Sequence, residues 1–172
     1  MYLGEKKSIW ADMLPDSFVM SFVSRYLNRL MKSIDRICDE ETKRQLFKEP
    51  AGACEEDWMP HLIKRHGYDP EKYDVDELIR AVLEHQNELT PGANEFYKED
   101  QNTIYYKQDA RGECPCPLVA KGIIEPLPVL CDCSLSLFGQ FVSKAARRPG
   151  RTELVESALR GGRDCIFRIH LL

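Results

Sequence analysis

Glu153-Leu154-Val155-Glu156-Ser157-Ala158-Leu159-Arg160-Gly161-Gly162-Arg163-Asp164-Cys165-Ile166-Phe167-Arg168-Ile169-His170-Leu171-Leu172 closes the chain and decides its fold. Cys165, Phe167, Ile169 and Leu171 alternate with Ile166, Arg168 and His170. That period of two belongs to a strand with one buried face. Gly161-Gly162 supplies a turn, and residues 153–159 supply a partner strand, so the stretch reads as a hairpin. Just upstream, Leu137, Phe138, Phe141, Val142 and Ala145 fall at helical steps, and Ser134 or Ser136 can cap that helix. The chain therefore ends in a helix followed by an antiparallel hairpin.

Working outward, residues 94–98 and 103–107 read as two further strands joined across Asp100-Gln101-Asn102. The first half is helical. Pro15 and Asp16 open a long helix whose apolar residues, Phe18 through Ile37, recur at three- and four-residue steps in a wide stripe, read here as core. A second helix is predicted over 40–48, stopping before Pro50, and a third over 57–66, ended by Gly67. Asp74 with Glu77 resembles a capping box for a fourth, terminated by Pro91-Gly92. The prediction is a single α+β domain over 1–172: N-terminal helices, mostly within 1–92, pack with an antiparallel sheet from the β-rich 93–172.

Bulk properties narrow the class. The chain has 172 residues, 43% of them apolar and 30% charged, as expected of a soluble domain with a genuine core. No apolar run approaches the ~20 residues needed to cross a bilayer. The opening Met1-Tyr2-Leu3-Gly4-Glu5-Lys6-Lys7 lacks the order of a secretory signal. The expectation is a cytoplasmic protein with reduced thiols, and an odd total of seven cysteines argues against a disulfide framework. The net charge of −4 is uneven: from Ser134 onward seven Lys/Arg face three Asp/Glu, leaving 17 against 25 in the rest. The arginines are spread over helix and hairpin without interleaved aromatics. They read as solvated faces, and nucleic acid and membrane are not expected partners. A homo-oligomer is compatible with the chain.

Four of the seven cysteines form two matched pairs, Cys114-Pro115-Cys116-Pro117 and Cys131-Asp132-Cys133, with fourteen residues between them. The prolines hold their neighbours extended, and in extended chain residues two apart face one side. Each pair is therefore expected to aim both thiols the same way, so that four sulfurs converge. Zinc, with tetrahedral thiolate ligands at ~2.0–2.3 Å, is the first candidate. An iron–sulfur cluster, redox-active or nucleophilic thiols, and plain buried cysteines are the alternatives. Cys54 falls in Ala51-Gly52-Ala53-Cys54-Glu55-Glu56, read as an exposed small-residue turn, and is a candidate fifth thiol. The candidate metal ligands are thus Cys114, Cys116, Cys131, Cys133 and Cys54. Cys38 and Cys165 read as core. His61, His66 and His85 have no histidine partner at i+4 and read as surface residues, while His170 points away from the apolar side of its strand. No nucleophile-elbow, phosphate-loop, dinucleotide or HExxH motif occurs.

The cysteine pairs, together with the closing pattern E-S-x-L-x-G-G-x-x-C-x-F-x-I from Glu156 to Ile169, resemble an uncharacterised family of bacterial cysteine-rich proteins. The closing pattern is also similar to the end of the 4-vinyl reductase domain and of L-2-amino-thiazoline-4-carboxylate hydrolase-like proteins. The resemblance covers about the last sixty residues. It implies an α+β fold enclosing a small-molecule pocket, sometimes beside a metal, and it singles out Cys114, Cys116, Cys131 and Cys133, with Cys165 and Glu156 at positions the relatives share.

Two functions follow as expectations. One is a binding module for a metal ion, zinc first, or a small-molecule ligand, with Lys121 or a tail arginine offsetting thiolate charge. The other is a hydrolase or thiol-dependent enzyme with Cys54, Cys116 or Cys133 as nucleophile, assisted by His170 or Glu156.

Overall fold

The computed structural model describes residues 15–90 and 92–172. The reading of Met1–Lys7 and the role given to Pro91 lie outside the described residues. In chain order come α1 (Asp16–Ile37), α2 (Glu40–Leu46), α3 (Lys48–His66), α4 (Val75–Leu89), β1 (Glu95–Lys98), β2 (Thr103–Gln108), a one-turn α5 (Pro117–Ala120), α6 (Cys131–Ala146), β3 (Gly150–Glu156) and β4 (Cys165–Leu171). The strands form one antiparallel sheet in the order β1-β2-β4-β3. The α+β class is as the sequence predicts.

Period-two alternation builds the sheet. Cys165, Phe167 and Ile169 of β4 are buried. Their register places Phe167 beside Tyr106 of β2 and Ile169 beside Ile104, while Phe96 of β1 lies across from Tyr106. The opposite face is polar: Arg168 pairs with Glu99 at 3.0 Å and Lys107 with Glu95 at 3.2 Å. Helix α6 lies on the buried face, its Phe138 ring 4.0 Å from the Tyr106 ring and 5.6 Å from that of Phe167. Close approach to β3 requires Gly139, where a Cβ would stand 2.5 Å from Thr152 Oγ1. Helices α3 and α4 pack around α6, with Trp58 set edge-on to Phe138. Asp74 caps α4 by accepting from the amides of Asp76 and Glu77, as its capping-box pattern predicts.

Four expectations are corrected. The second and third predicted helices do not leave a turn at 51–56, because α3 begins at Lys48 and runs through Pro50 and Cys54. Pro50 sits in the first turn, where no intrahelical donor is needed, and buried Ala51 packs in the core. Helix α6 begins at Cys131 rather than at Ser134 or Ser136, so the second cysteine pair is helical, not extended. The apolar stripe of α1 is not core: none of its residues is buried, and Phe18, Phe22 and Tyr26 are each more than half exposed. Cys38, at the end of α1, is half-buried and outside the core cluster.

The closing motif is explained by its own turn. Glu156 Oε1 accepts from the amides of Arg163 at 2.8 Å and Asp164 at 2.9 Å. It lies so close to Gly162 that a Cβ there would meet Glu156 Cγ at 2.5 Å. Gly161 adopts φ +87°, a left-handed conformation suited to glycine. The partner strand therefore ends at Glu156, and Ser157 caps a single 3₁₀ turn over Ala158–Arg160.

Candidate functional site

Helical geometry splits the second cysteine pair. At 100° per residue, side chains two apart diverge by about 200°. Cys131 is buried toward Ser157, its Sγ 3.0 Å from the serine Oγ. Cys133 is directed to α3, where its thiol neighbours that of Cys54. The first pair behaves as the prolines dictate: Cys116 is extended at φ −57°, ψ 126° and starts α5. The segment is anchored to the hairpin turn where the Gly112 amide donates to Arg163 O at 2.6 Å.

Two thiol groupings result. Cys114, Cys116, Cys131 and Cys165 line one cavity of about 30 Å³, closed by Pro115, Leu130, Leu159 and Phe167 with Ser134, Ser157 and Gln108 at its edges. On the other side of α6, Cys54 faces Cys133, and Cys116 lies within electrostatic reach of Cys133. All seven cysteines are free thiols. The predicted set of Cys114, Cys116, Cys131, Cys133 and Cys54 is thus divided, with Cys165, expected only as core, joining the first group. Among the described residues no three of these sulfurs lie within 4.8 Å of one another; the trio that meets that distance is His66, His85 and Glu88.

The first group is a neutral, greasy pocket. Burial pushes Cys114 up to about 11, and the nearby Cys116, Cys165 and Cys131 push the same way, against a backbone hydrogen bond from Cys116. Burial also raises Cys165 and Cys131; for Cys131 the Ser157 hydrogen bond and the positive field of Arg160 oppose it. Arg160, not the exposed Lys121, is the cation that acts on this pocket. Cys54 differs: its hydrogen bond with Cys133 brings it down to about 7, against burial and Asp57, while the same bond raises Cys133.

Next to Cys131, Asp132 is fully buried with Oδ2 unpartnered, and burial holds its carboxyl above the ordinary range. It borders a cavity of about 580 Å³ shared with Arg44, Arg151, Arg160 and His170. No sequence pattern pointed to this cavity, because its lining comes from α2, α6 and both strands of the hairpin.

The proposed catalytic partners do not assemble around a thiol. His170 lies on the polar sheet face, 3.4 Å from Glu153, and Glu156 is engaged by the turn amides. His66 and His85, expected on the surface, are buried and meet across α3 and α4, with their rings 5.5 Å apart. Burial, followed by His61 and His66, holds His85 below its ordinary pKa.

No protein-family model matches the chain, and none of the curated proteins matches it, so the resemblance read from the closing motif is not borne by a family match. Similarity appears among solved structures. A trafficking protein particle complex subunit 3 from Naegleria fowleri, covalently bound to palmitic acid, superimposes with a TM-score of 0.56 at 9% identity, over 92% of this chain and 97% of that one. A structure from the H-NOX family, studied for heme distortion, gives a TM-score of 0.40 at 16% identity, over 92% of this chain and 72% of that one. The first likeness places the chain in the fold of that complex subunit.

Proposed function

We propose that the protein is a cytoplasmic binding module for a thiophilic metal ion, zinc first, taken at the cavity of Cys114, Cys116, Cys131 and Cys165. The observation that carries this reading is that four thiols, drawn from the proline-rich segment, α6 and β4, line one space of about 30 Å³, the size of an ion rather than an organic ligand. Tetrahedral zinc holds its sulfurs about 3.8 Å apart, given Zn–S bonds of ~2.3 Å. Loading therefore draws Cys114 and Cys116 inward, about the positive-φ residues Arg111 and Gly112 that precede them. Each ligand gives up its proton on binding, and the ion replaces the thiol protons that burial now retains. Ser157 and Arg160 stabilise Cys131 as a thiolate.

The test is metal uptake by untagged, chelator-treated protein. A zinc ion held by sulfur, read as a sulfur-to-metal charge-transfer band with Co²⁺, and zinc-dependent protection of four thiols against alkylation are the expected results. Cys114→Ser and Cys116→Ser each remove the band. Free reaction of all seven thiols in the presence of zinc, with no charge-transfer band, ends the proposal.

A second reading is favoured by Cys54 alone. Its thiol, brought down to about 7 by Cys133, is substantially thiolate at neutral pH. The complex subunit that shares the fold carries palmitic acid covalently. On this reading Cys54 Sγ attacks an activated acyl thioester, forming a new thioester and releasing the donor thiol. A mass increase of one acyl chain on incubation with an acyl-coenzyme A, abolished by Cys54→Ser, distinguishes it from metal uptake.

A further inference from the structure

His66 ends α3, and His85 and Glu88 sit three residues apart on α4. Their ligand atoms all lie within 4.8 Å of one another. Both rings are more than nine-tenths buried, at 8% and 6% exposure. His66 Nε2 and His85 Nδ1 are buried nitrogens without a hydrogen-bond partner. A buried polar atom without a partner keeps its desolvation cost, and two of them in rings 5.5 Å apart call for an occupant. Glu88 Oε2 stands 3.5 Å from His66 Nε2. We propose that His66, His85 and Glu88 bind a divalent transition-metal ion, Zn²⁺ first, that clamps the end of α3 to α4.

The surroundings are those of a built site. On the far side of the His66 ring, Glu84 Oε2 lies 3.4 Å from Nδ1. A carboxylate there selects the tautomer that leaves Nε2 free and turns the ring toward the ion. Glu84 is itself held by Arg80 at 2.9 Å, and Arg80 Nη2 donates to the His66 carbonyl at 2.8 Å, so Glu84 and Arg80 together fix the residue. Trp58, edge-on at 5.1 Å, and His61, stacked at 5.4 Å, hold the His85 ring. Glu88 is partly exposed and gives the ion its access from solvent. Arg65 Nε contacts both of its oxygens, Oε2 at 2.9 Å and Oε1 at 3.1 Å, and the Oε1 contact can remain while Oε2 ligates.

Two imidazoles and a carboxylate form a borderline donor set suited to Zn²⁺ and its neighbours, and three protein ligands leave a fourth position for water. Tetrahedral donors at ~2.0–2.1 Å stand about 3.4 Å apart, close to the 3.5 Å between Glu88 Oε2 and His66 Nε2 and within a small ring movement of the 4.8 Å that bounds the trio. The site owes nothing to the cysteines, and its metal is held without sulfur.

The test uses untagged full-length protein carrying Cys114→Ser and Cys116→Ser, so that the thiol cavity is disabled. Titration with Co²⁺ gives ligand-field bands without a sulfur charge-transfer band, and Zn²⁺ raises the thermal midpoint. Glu88→Gln, a change on a partly exposed side chain that leaves the fold intact by circular dichroism, abolishes saturable binding, as does His66→Gln. Glu84→Gln weakens binding about tenfold, whereas His170→Gln, at an imidazole on the sheet paired with Glu153, leaves it unchanged. Absence of Co²⁺ bands in the parent, or undiminished binding in Glu88→Gln, overturns the proposal. Neither result bears on the thiol cavity, whose own signature is the sulfur band.

Discussion

At the residue scale, Cys54 shows how one contact sets reactivity. Half-buried on α3, it would ordinarily be a poor nucleophile, since burial and Asp57 both favour the neutral thiol. The hydrogen bond with Cys133 outweighs them and brings the group to about 7. The thiolate fraction is then about a tenth at pH 6 and about nine-tenths at pH 8, and alkylation follows the thiolate. Carboxamidomethylation of Cys54, followed by mass spectrometry against pH, should therefore rise through a midpoint near 7. In Cys133→Ala the midpoint should move toward the ordinary thiol value of ~8.5. A midpoint that stays put would show that Cys133 is not the cause. Sequence could nominate Cys54 as an outlier but not supply its partner. Cys133 reaches it only because α6 crosses α3, and the helical angle that sends Cys133 there is what removes it from the Cys131 pocket. Histidine was harder to read. A search for partners one helical turn away overlooks His66 and His85, which come from different helices and meet only through packing.

At the element scale, the strongly patterned elements were legible and the punctuated ones were not. Strand β4 carries its alternation on consecutive residues, and α4 carries its cap on Asp74, so both appear as read. Pro50 and Gly52 suggested a break, yet α3 continues through them because a first-turn proline costs no hydrogen bond and burial of Ala51 against the core outweighs the local glycine penalty. Cys131-Asp132-Cys133 is helical for a similar reason: no proline follows it, and burial of Cys131, Asp132 and Leu135 carries α6 back to its start at Cys131. How closely α6 docks is decided by Gly139. A methyl there would stand 2.5 Å from Thr152 Oγ1, far inside contact distance. Gly139→Ala gains helix propensity of up to ~1 kcal/mol but must overcome a clash costing ~1–3 kcal/mol, so net destabilisation is expected in denaturant unfolding. Thr152→Gly removes the obstructing side chain. In the double variant Gly139→Ala should become neutral or stabilising, a coupling that a double-mutant cycle measures directly. Simple additivity would place the strain elsewhere.

At the scale of the whole molecule, the described chain divides into a tightly packed body and a helix laid against it. The body is the sheet with α3, α4 and α6, where Tyr106, Phe141, Leu62, Leu78 and Ile169 are fully buried. None of the residues of α1 reaches that state. Its half-buried Val23, Leu27, Met31 and Ile34 are supplemented by polar contacts: Ser24 Oγ donates to Ile123 O at 2.7 Å, Asn28 Oδ1 accepts from the Glu125 amide at 2.6 Å, Lys32 pairs with Glu125 at 2.6 Å, and Asp35 pairs with Lys43 at 3.1 Å. The Lys32–Glu125 pair is half exposed and contributes little, at most ~1 kcal/mol, whereas the Ser24 and Asn28 bonds tie the helix directly to the backbone at 123–125. Opening of α1 should accordingly cost far less than global unfolding, since local stability follows buried apolar contact. Amide hydrogen exchange should show the α1 amides exchanging much faster than those of β2, β4 and α6. Asn28→Ala removes one fastener, worth ~1 kcal/mol, and should speed exchange in α1 and at residues 123–125 by about fivefold while protection in β4 stays unchanged. Equal protection in α1 and β4 would mean that the helix is held by more than these contacts, and that the molecule opens as one cooperative unit.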